Sequence, residues 1–197
     1  AEITMGPIQD FKFDAAILFS DLLFPLEDLG MGLHYNDGPP KLAFHLQDRK
    51  NLDRLTDSVD KAGSYAFQKE ALKCLQPQLP SDCTMLGFVG APFTLYTYAV
   101  EGSHAGQLAS AKLGLYDGCF AYFWQKLYPT LIAEMDAQAR GGAEAICVFD
   151  TAAGELTVND YEKFVVPAIK QLTEEFKKRH PSKRVIYYSK HTNLNHI

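Results

Sequence analysis

Four short stretches of the chain are apolar almost without interruption: 14–21 (DAAILFSD), Thr84–Gly90 (TMLGFVG), 144–150 (EAICVFD) and 184–190 (RVIYYSK). A strand with one wet face alternates apolar and polar residues. A continuous run is expected of a strand covered on both faces, as in a parallel sheet. Between the runs the apolar residues recur at helical spacing. Tyr65, Leu72 and Leu75 share a face ahead of Pro77 and Pro80. Phe120, Trp124, Leu127, Leu131 and Met135 form a second stripe, with Gly141 and Gly142 as its stop. Tyr161, Val165, Ala168, Leu172 and Phe176 form a third. Asn159 with Glu162 three residues later has the form of that helix's capping box. Residues 24–40 are rich in Gly, Pro, Asn and Asp and read as a long surface loop near the site.

Strand and helix in repetition predict right-handed crossovers and a parallel sheet. A doubly wound nucleotide-binding fold would favour a glycine-rich phosphate loop after a strand. Neither GxGxxG nor GxxxxGK[ST] occurs. A (β/α)8 barrel places its functional residues at the C-terminal ends of successive strands. Asp21, the segment after Gly90, Asp150-Thr151 and Lys190 follow that pattern. A full barrel takes eight strands over about 250 residues, so four strands amount to half of one. No linker, repeat or low-complexity tract divides residues 1–197, and a single domain is expected.

Composition narrows the function. The 197 residues are 47% hydrophobic, a globular value. Lys and Arg total 19 against 24 Asp and Glu, a net charge of −5, which disfavours nucleic acid or an anionic membrane as partner. Cys74, Cys83, Cys119 and Cys147 form no CxxC pair and read as free thiols of a reducing compartment. With no apolar leader and no long apolar run, the cytoplasm is the expected location. The six histidines form no HExxH or other metal pattern. His191 and His196 stand five apart, a weak signal, and no metal is expected.

Three strand ends carry candidate chemistry. Asp21 closes an apolar strand, where a carboxylate is partly shielded from water and needs partners. A helix N-cap or ion-pair partner is the competing structural role. After the second strand, Phe88, Phe93, Tyr96 and Tyr98 form an aromatic group. It reads either as core or as the lining of a pocket for a flat or bowl-shaped aromatic ligand. After the third, Asp150 offers a second carboxylate, for acid–base work or for a cap, and Thr151 a hydroxyl.

These segments together carry a resemblance. FSDLL at 19–23, GFVGAPFTLYTYAVEG at 87–102 and FDTAAG at 149–154 resemble, in order and spacing, the uroporphyrinogen decarboxylase family. The resemblance runs from Ala1 to about Lys190. It implies a (β/α)8 barrel, a homodimer, and removal of carbon dioxide from the four acetate arms of uroporphyrinogen III without a cofactor, in tetrapyrrole biosynthesis. Position by position, Asp21 resembles the Asp beneath the macrocycle and Tyr98 the Tyr beside it. Thr151 stands where a substrate-contacting Ser or Thr is found, and Phe88 and Phe149 resemble pocket-lining aromatics. Tyr98 is expected to hydrogen-bond Asp21 or an acetate arm.

The strands would be the second to fifth of the barrel. The family's Arg-rich segment of the type RQAGRYLPEY precedes the first motif, and its late strand bearing a His follows the last. Neither is present in residues 1–197. Lys190-His191 also departs from the family's usual Lys-Gly. Two alternatives stay open. One is a corrinoid-linked methyltransferase of the same barrel type, with zinc ligands outside this segment. The other is a non-catalytic half-barrel that binds a porphyrin or a partner chain.

Overall fold

A computed structural model describes residues 2–35, 38–57, 63 and 65–193; His196 lies outside them. Four strands form one parallel sheet in the order β1 (Ala15–Ile17), β4 (Thr84–Gly90), β5 (Ala145–Asp150), β6 (Arg184–Ser189). The pairs run Ala15 to Thr84, Phe88 to Cys147 and Phe149 to Tyr188. A small antiparallel hairpin, β2 (Leu33–His34) with β3 (Lys41–Leu42), sits outside the sheet.

The register divides every strand into two faces. Ala16, Met85, Gly87, Val89, Ile146 and Val148 are buried under helices. The helices are α3 (Ala66–Leu75), α4 (Pro92–Glu101), α6 (Cys119–Gly141) and α7 (Val166–Arg179). Here lies the core, with Leu72, Leu127, Leu131, Leu172 and Phe176 fully buried. On the opposite face Ile17, Phe19, Ile186 and Tyr188 are exposed, and Leu86, Phe88 and Phe149 half-exposed. A curved parallel sheet with helices on one face and bare aromatic residues on the other is half of a (β/α)8 barrel. The bare face is its interior.

The predicted strands after the first are displaced by no more than one residue. The first is much shorter than 14–21, for a physical reason. Gln138 on α6 reaches through to β4. Its Oε1 accepts from the Phe88 N–H at 2.7 Å, and its Nε2 donates to the Phe88 carbonyl at 2.8 Å. These are the groups β1 would pair with one step further on. After Leu18 donates to the Leu86 carbonyl, the chain leaves the sheet, and the Phe19 N–H goes to Thr4 Oγ1 on α1 (Glu2–Phe11). Gly87 makes this insertion possible, because a Cβ there would stand 2.1 Å from Gln138 Oε1 and 2.8 Å from Ile146 Cδ1.

Two helical expectations are corrected. The capping residue of the third helical stretch is Thr157, not Asn159, since Thr157 Oγ1 accepts from the Asp160 N–H at 3.2 Å. The Tyr161–Val165 stripe that follows is a π-helical turn, with the Val166 N–H bonded to the Tyr161 carbonyl. Pro167 lacks the N–H that an α-helical turn would use, and the wider turn absorbs that loss before α7 begins. The stretch 24–40 is more ordered than a loop. It opens with α2 (Phe24–Asp28), started by Pro25, and continues into the hairpin.

Candidate active site

The interior face ends in an aromatic wall. The rings of Phe88 and Phe149 lie 5.6 Å apart, and those of Phe149 and Tyr188 6.0 Å apart edge to face. Of the four aromatic residues expected to cluster, only Phe88 and Tyr98 stay accessible. Phe93 and Tyr96 are fully buried and pack on Phe120 and Phe123. They are core, because α4 turns that side toward α6.

Asp21 stands beyond β1, half-buried. One oxygen accepts from the Leu23 N–H at 2.7 Å, a local turn that leads into α2. The other accepts from the Tyr35 hydroxyl at 2.9 Å. Among the described residues no cation pairs with Asp21, and each oxygen keeps a lone pair free. Burial, then the hydrogen bond to Asp21 and its charge, hold the Tyr35 phenol well above its ordinary range. Tyr35, just beyond the hairpin strand β2, has no sequence signal.

The Tyr98 hydroxyl does not reach Asp21. It lies 2.5 Å from His104 Nδ1 in the loop after α4. Burial and the nearby Asp21 charge raise the Tyr98 phenol, so it keeps its proton beside the imidazole. Asp21 therefore acts on Tyr98 through its field, and Tyr35 holds the place at Asp21 expected for Tyr98.

Thr151 is half-buried past the end of β5, and its hydroxyl has no partner among the described residues. Asp150 points the other way. It lies on the helix side, fully buried, accepting from Thr94 Oγ1 at 2.9 Å and the Tyr187 hydroxyl at 2.8 Å. Tyr161 donates in turn to Tyr187 at 2.8 Å, and Thr94 Oγ1 accepts from the Ala152 N–H at 3.1 Å. Burial raises the Asp150 carboxyl while these hydrogen bonds pull it down. Asp150 thus fastens the end of β5 to α4 and β6, and acid–base work in the interior is not open to it. Gly154 allows a close crossing there, since a Cβ would stand 2.5 Å from the Lys190 carbonyl oxygen.

Behind the interior face lies a second buried polar group. Gln68 Nε2 donates to Glu134 at 2.8 Å and to Ser20 Oγ at 3.3 Å, and its Oε1 accepts from Gln138 at 3.0 Å. Burial pushes the Glu134 carboxyl up to about 8, so it is largely protonated at neutral pH. The network joins the residue before Asp21 to the backbone of Phe88.

Among the described residues no group of three His, Cys, Asp or Glu side chains converges on a possible metal site. Among them, too, no helix is long and apolar enough to cross a membrane.

Fold and site together define a barrel protein of the (β/α)8 type, with its candidate site at the C-terminal strand ends. Residues 1–197 match the family model described as Uroporphyrinogen decarboxylase (URO-D), and the chain belongs to that family. Relatives named uroporphyrinogen decarboxylase include one from Chloroherpeton thalassium, 35% identical over 98% of this chain and 55% of its own length. One from Legionella pneumophila (strain Lens) is 32% identical over 96% of this chain and 54% of its own. One from Geotalea daltonii is 36% identical over 85% and 49%. The chain spans about half the length of the curated relatives it matches. A solved methyltransferase from Methanosarcina mazei superposes on the whole chain and 57% of its own, with a TM-score of 0.75 and 16% identity, a likeness of fold alone.

Proposed function

We propose that this chain forms the second to fifth strands of a uroporphyrinogen decarboxylase, and that Asp21 binds the macrocycle from below. The observation that carries the reading is the pairing of a half-open carboxylate with an aromatic wall on one barrel face. A porphyrinogen presents four pyrrole N–H donors toward its centre. The lone pairs of Asp21 not used by Leu23 and Tyr35 accept them, and Phe88, Phe149 and Tyr188 lie against the rings.

Loss of carbon dioxide from an acetate arm needs an electron sink. Protonation of a pyrrole carbon supplies one as a cationic ring. The carbon–carbon bond to the carboxylate then breaks, its electron pair enters the ring as an exocyclic double bond, a proton adds to the arm carbon, and the ring carbon gives up the proton it took, which restores the pyrrole. A carboxylate fixed in a partly dry site stabilises that cation without reorganising. In this reading Tyr98 and Thr151 also hold the substrate by hydrogen bonds. No cofactor takes part in this scheme. The reading extends to a cytoplasmic homodimer, as the family resemblance implies.

The test is turnover of uroporphyrinogen III by the whole protein, followed by chromatography of the oxidised products. Asp21→Asn keeps the size and removes the charge, and is expected to lower kcat by about two to three orders of magnitude. Near-normal turnover would end the assignment. Tyr98→Phe is expected to cost only several-fold, the value of one hydrogen bond. A loss as large as that of Asp21→Asn would make Tyr98 a direct participant.

A further inference from the structure

The proposed chemistry leaves the carboxylate arms of the substrate without a basic partner, and it does not use His104, which meets Tyr98, or Lys190, whose charge reaches His104. We propose that His104 and Lys190 form a carboxylate-binding pair at the rim of the site, His104 donating its Nε2–H and Lys190 its ammonium group to one arm of the tetrapyrrole. The inference rests on the tetrapyrrole reading and deepens it.

The His104 Nδ1 lies 2.5 Å from the Tyr98 hydroxyl, and the two rings lie 5.3 Å apart. The phenol proton has no other acceptor among the described residues, which assigns Tyr98 as donor and Nδ1 as acceptor. A ring that accepts at Nδ1 carries its proton at Nε2. Burial, and then the positive charge of Lys190, hold His104 below its ordinary value, so the neutral tautomer is the one present at pH 7. Its outward nitrogen is therefore a donor, which an anionic arm can use and a cation cannot.

Lys190 is close enough to act on His104 through its charge, and it is exposed. Its backbone is fixed on both sides: the N–H donates to the Asp150 carbonyl and the carbonyl accepts from Gly154. Its ammonium pairs with no carboxylate among the described residues. Alternation along β6 puts Lys190 on the same face as Ile186 and Tyr188, the interior one. A rigidly mounted, unpaired cation next to a neutral donor suits a carboxylate.

The test is fluorescence titration of the whole protein with uroporphyrin I, which carries eight carboxylates, and coproporphyrin I, which carries four. His104→Phe is expected to weaken uroporphyrin I about ten-fold. Two isosteric variants separate the roles of the ring nitrogens. His104→Asn puts an acceptor at the Nδ1 place and is expected to bind as weakly as His104→Phe. His104→Gln puts an N–H at the Nε2 place and is expected to recover most of the affinity. Lys190→Met is expected to weaken binding and flatten its salt dependence. A loss confined to uroporphyrin I makes the arm an acetate, and a loss shared with coproporphyrin I makes it a propionate. Both outcomes support the pair. Unchanged binding in His104→Phe overturns it, as does rescue by Asn and not by Gln, which would leave His104 merely holding Tyr98. A wild-type protein that binds neither porphyrin removes the tetrapyrrole reading itself, a result distinct from variants that match a binding wild type.

Discussion

Glu134 should destabilise the protein at neutral pH, and Glu134→Gln should reveal it. The carboxyl is fully buried between α3 and α6. One oxygen accepts from Gln68 at 2.8 Å, while Oε2 has no partner among the described residues. Burial first, then the charges of Asp28 and Asp21, raise it from 4.5 to about 8, with the Gln68 bond acting in the opposite direction. In the unfolded chain Glu134 ionises near pH 4.5. In the fold it keeps its proton to about pH 8. Between those values the native state binds the extra proton, so stability falls as pH rises. The cost grows by about 1.4 kcal/mol per pH unit, to about 3 kcal/mol at pH 7 and about 5 kcal/mol above pH 8. Gln keeps the acceptor for Gln68 and never ionises. Its NH2 also brings donors close to the Asp28 carboxylate, whose charge acts on this site, and to the buried Tyr65 hydroxyl, on which the Glu134 charge acts. Urea unfolding of both proteins at pH 4, 7 and 8.5, read by circular dichroism, measures the difference. The expectation is no gain at pH 4 and about 3 kcal/mol at pH 7, which is about 6–12 °C in Tm for a domain of this size. A Glu134→Gln protein that is less stable at pH 7, or whose gain is the same at all three values, would refute the reasoning.

Gly87→Ala is expected to cost about 2–3 kcal/mol in chemical unfolding, since the new methyl overlaps Gln138 and Ile146. In a Gln138→Ala background most of that cost should vanish, and a fully additive double mutant would show that Gln138 is not the obstacle. Thr94→Val keeps the shape but leaves Asp150 and the Ala152 N–H each short of one partner, at about 2–3 kcal/mol by the same measurement. If Thr94→Val is as stable as wild type, Asp150 is not held as described.

Three of the four strands are legible in the sequence because their apolar runs are long and buried on the helix side. The first is legible in its place but not in its extent, since what shortens it is a side chain fifty residues further on than Phe88. Helix α4 escapes the helical pattern for another reason. Its residues Phe93 to Thr97 are all buried, so no polar face marks a period of 3.6. The orientation of Asp150 was within reach. It is one step out of phase with Phe149, and strand alternation puts the two on opposite faces. Asp21, Phe88, Tyr98, Phe149 and Thr151 are legible only through family motifs; Phe88 and Phe149 pack together on the interior face, while Tyr98 turns to His104 and not to Asp21. Tyr35 and His104 belong to no motif. Their approach to Asp21 and Tyr98 depends on how the hairpin and the loop after α4 fold back over the strand ends, which no local pattern records.

The two buried polar systems explain why the interior face can be left to a ligand. Gln138, Gln68 and Glu134 satisfy the edge of β4 from the helix side, where β1 has already turned away. Asp150, Thr94, Tyr187 and Tyr161 do the same for the ends of β5 and β6. Each anchors a strand end without drawing on a group of the interior. Among the described residues, lone pairs on Asp21 and the Thr151 hydroxyl therefore keep unspent hydrogen-bonding capacity. A strand end anchored through its inward side chains would be equally stable and chemically mute. By this logic Thr94→Val, distant from any substrate, should loosen the Thr151 turn. On the proposed function, its Michaelis constant for the porphyrinogen should rise while Asp21-dependent kcat changes little. A fall in kcat with an unchanged Michaelis constant would mean that Asp150 communicates with the reacting centre directly and not through the turn it holds.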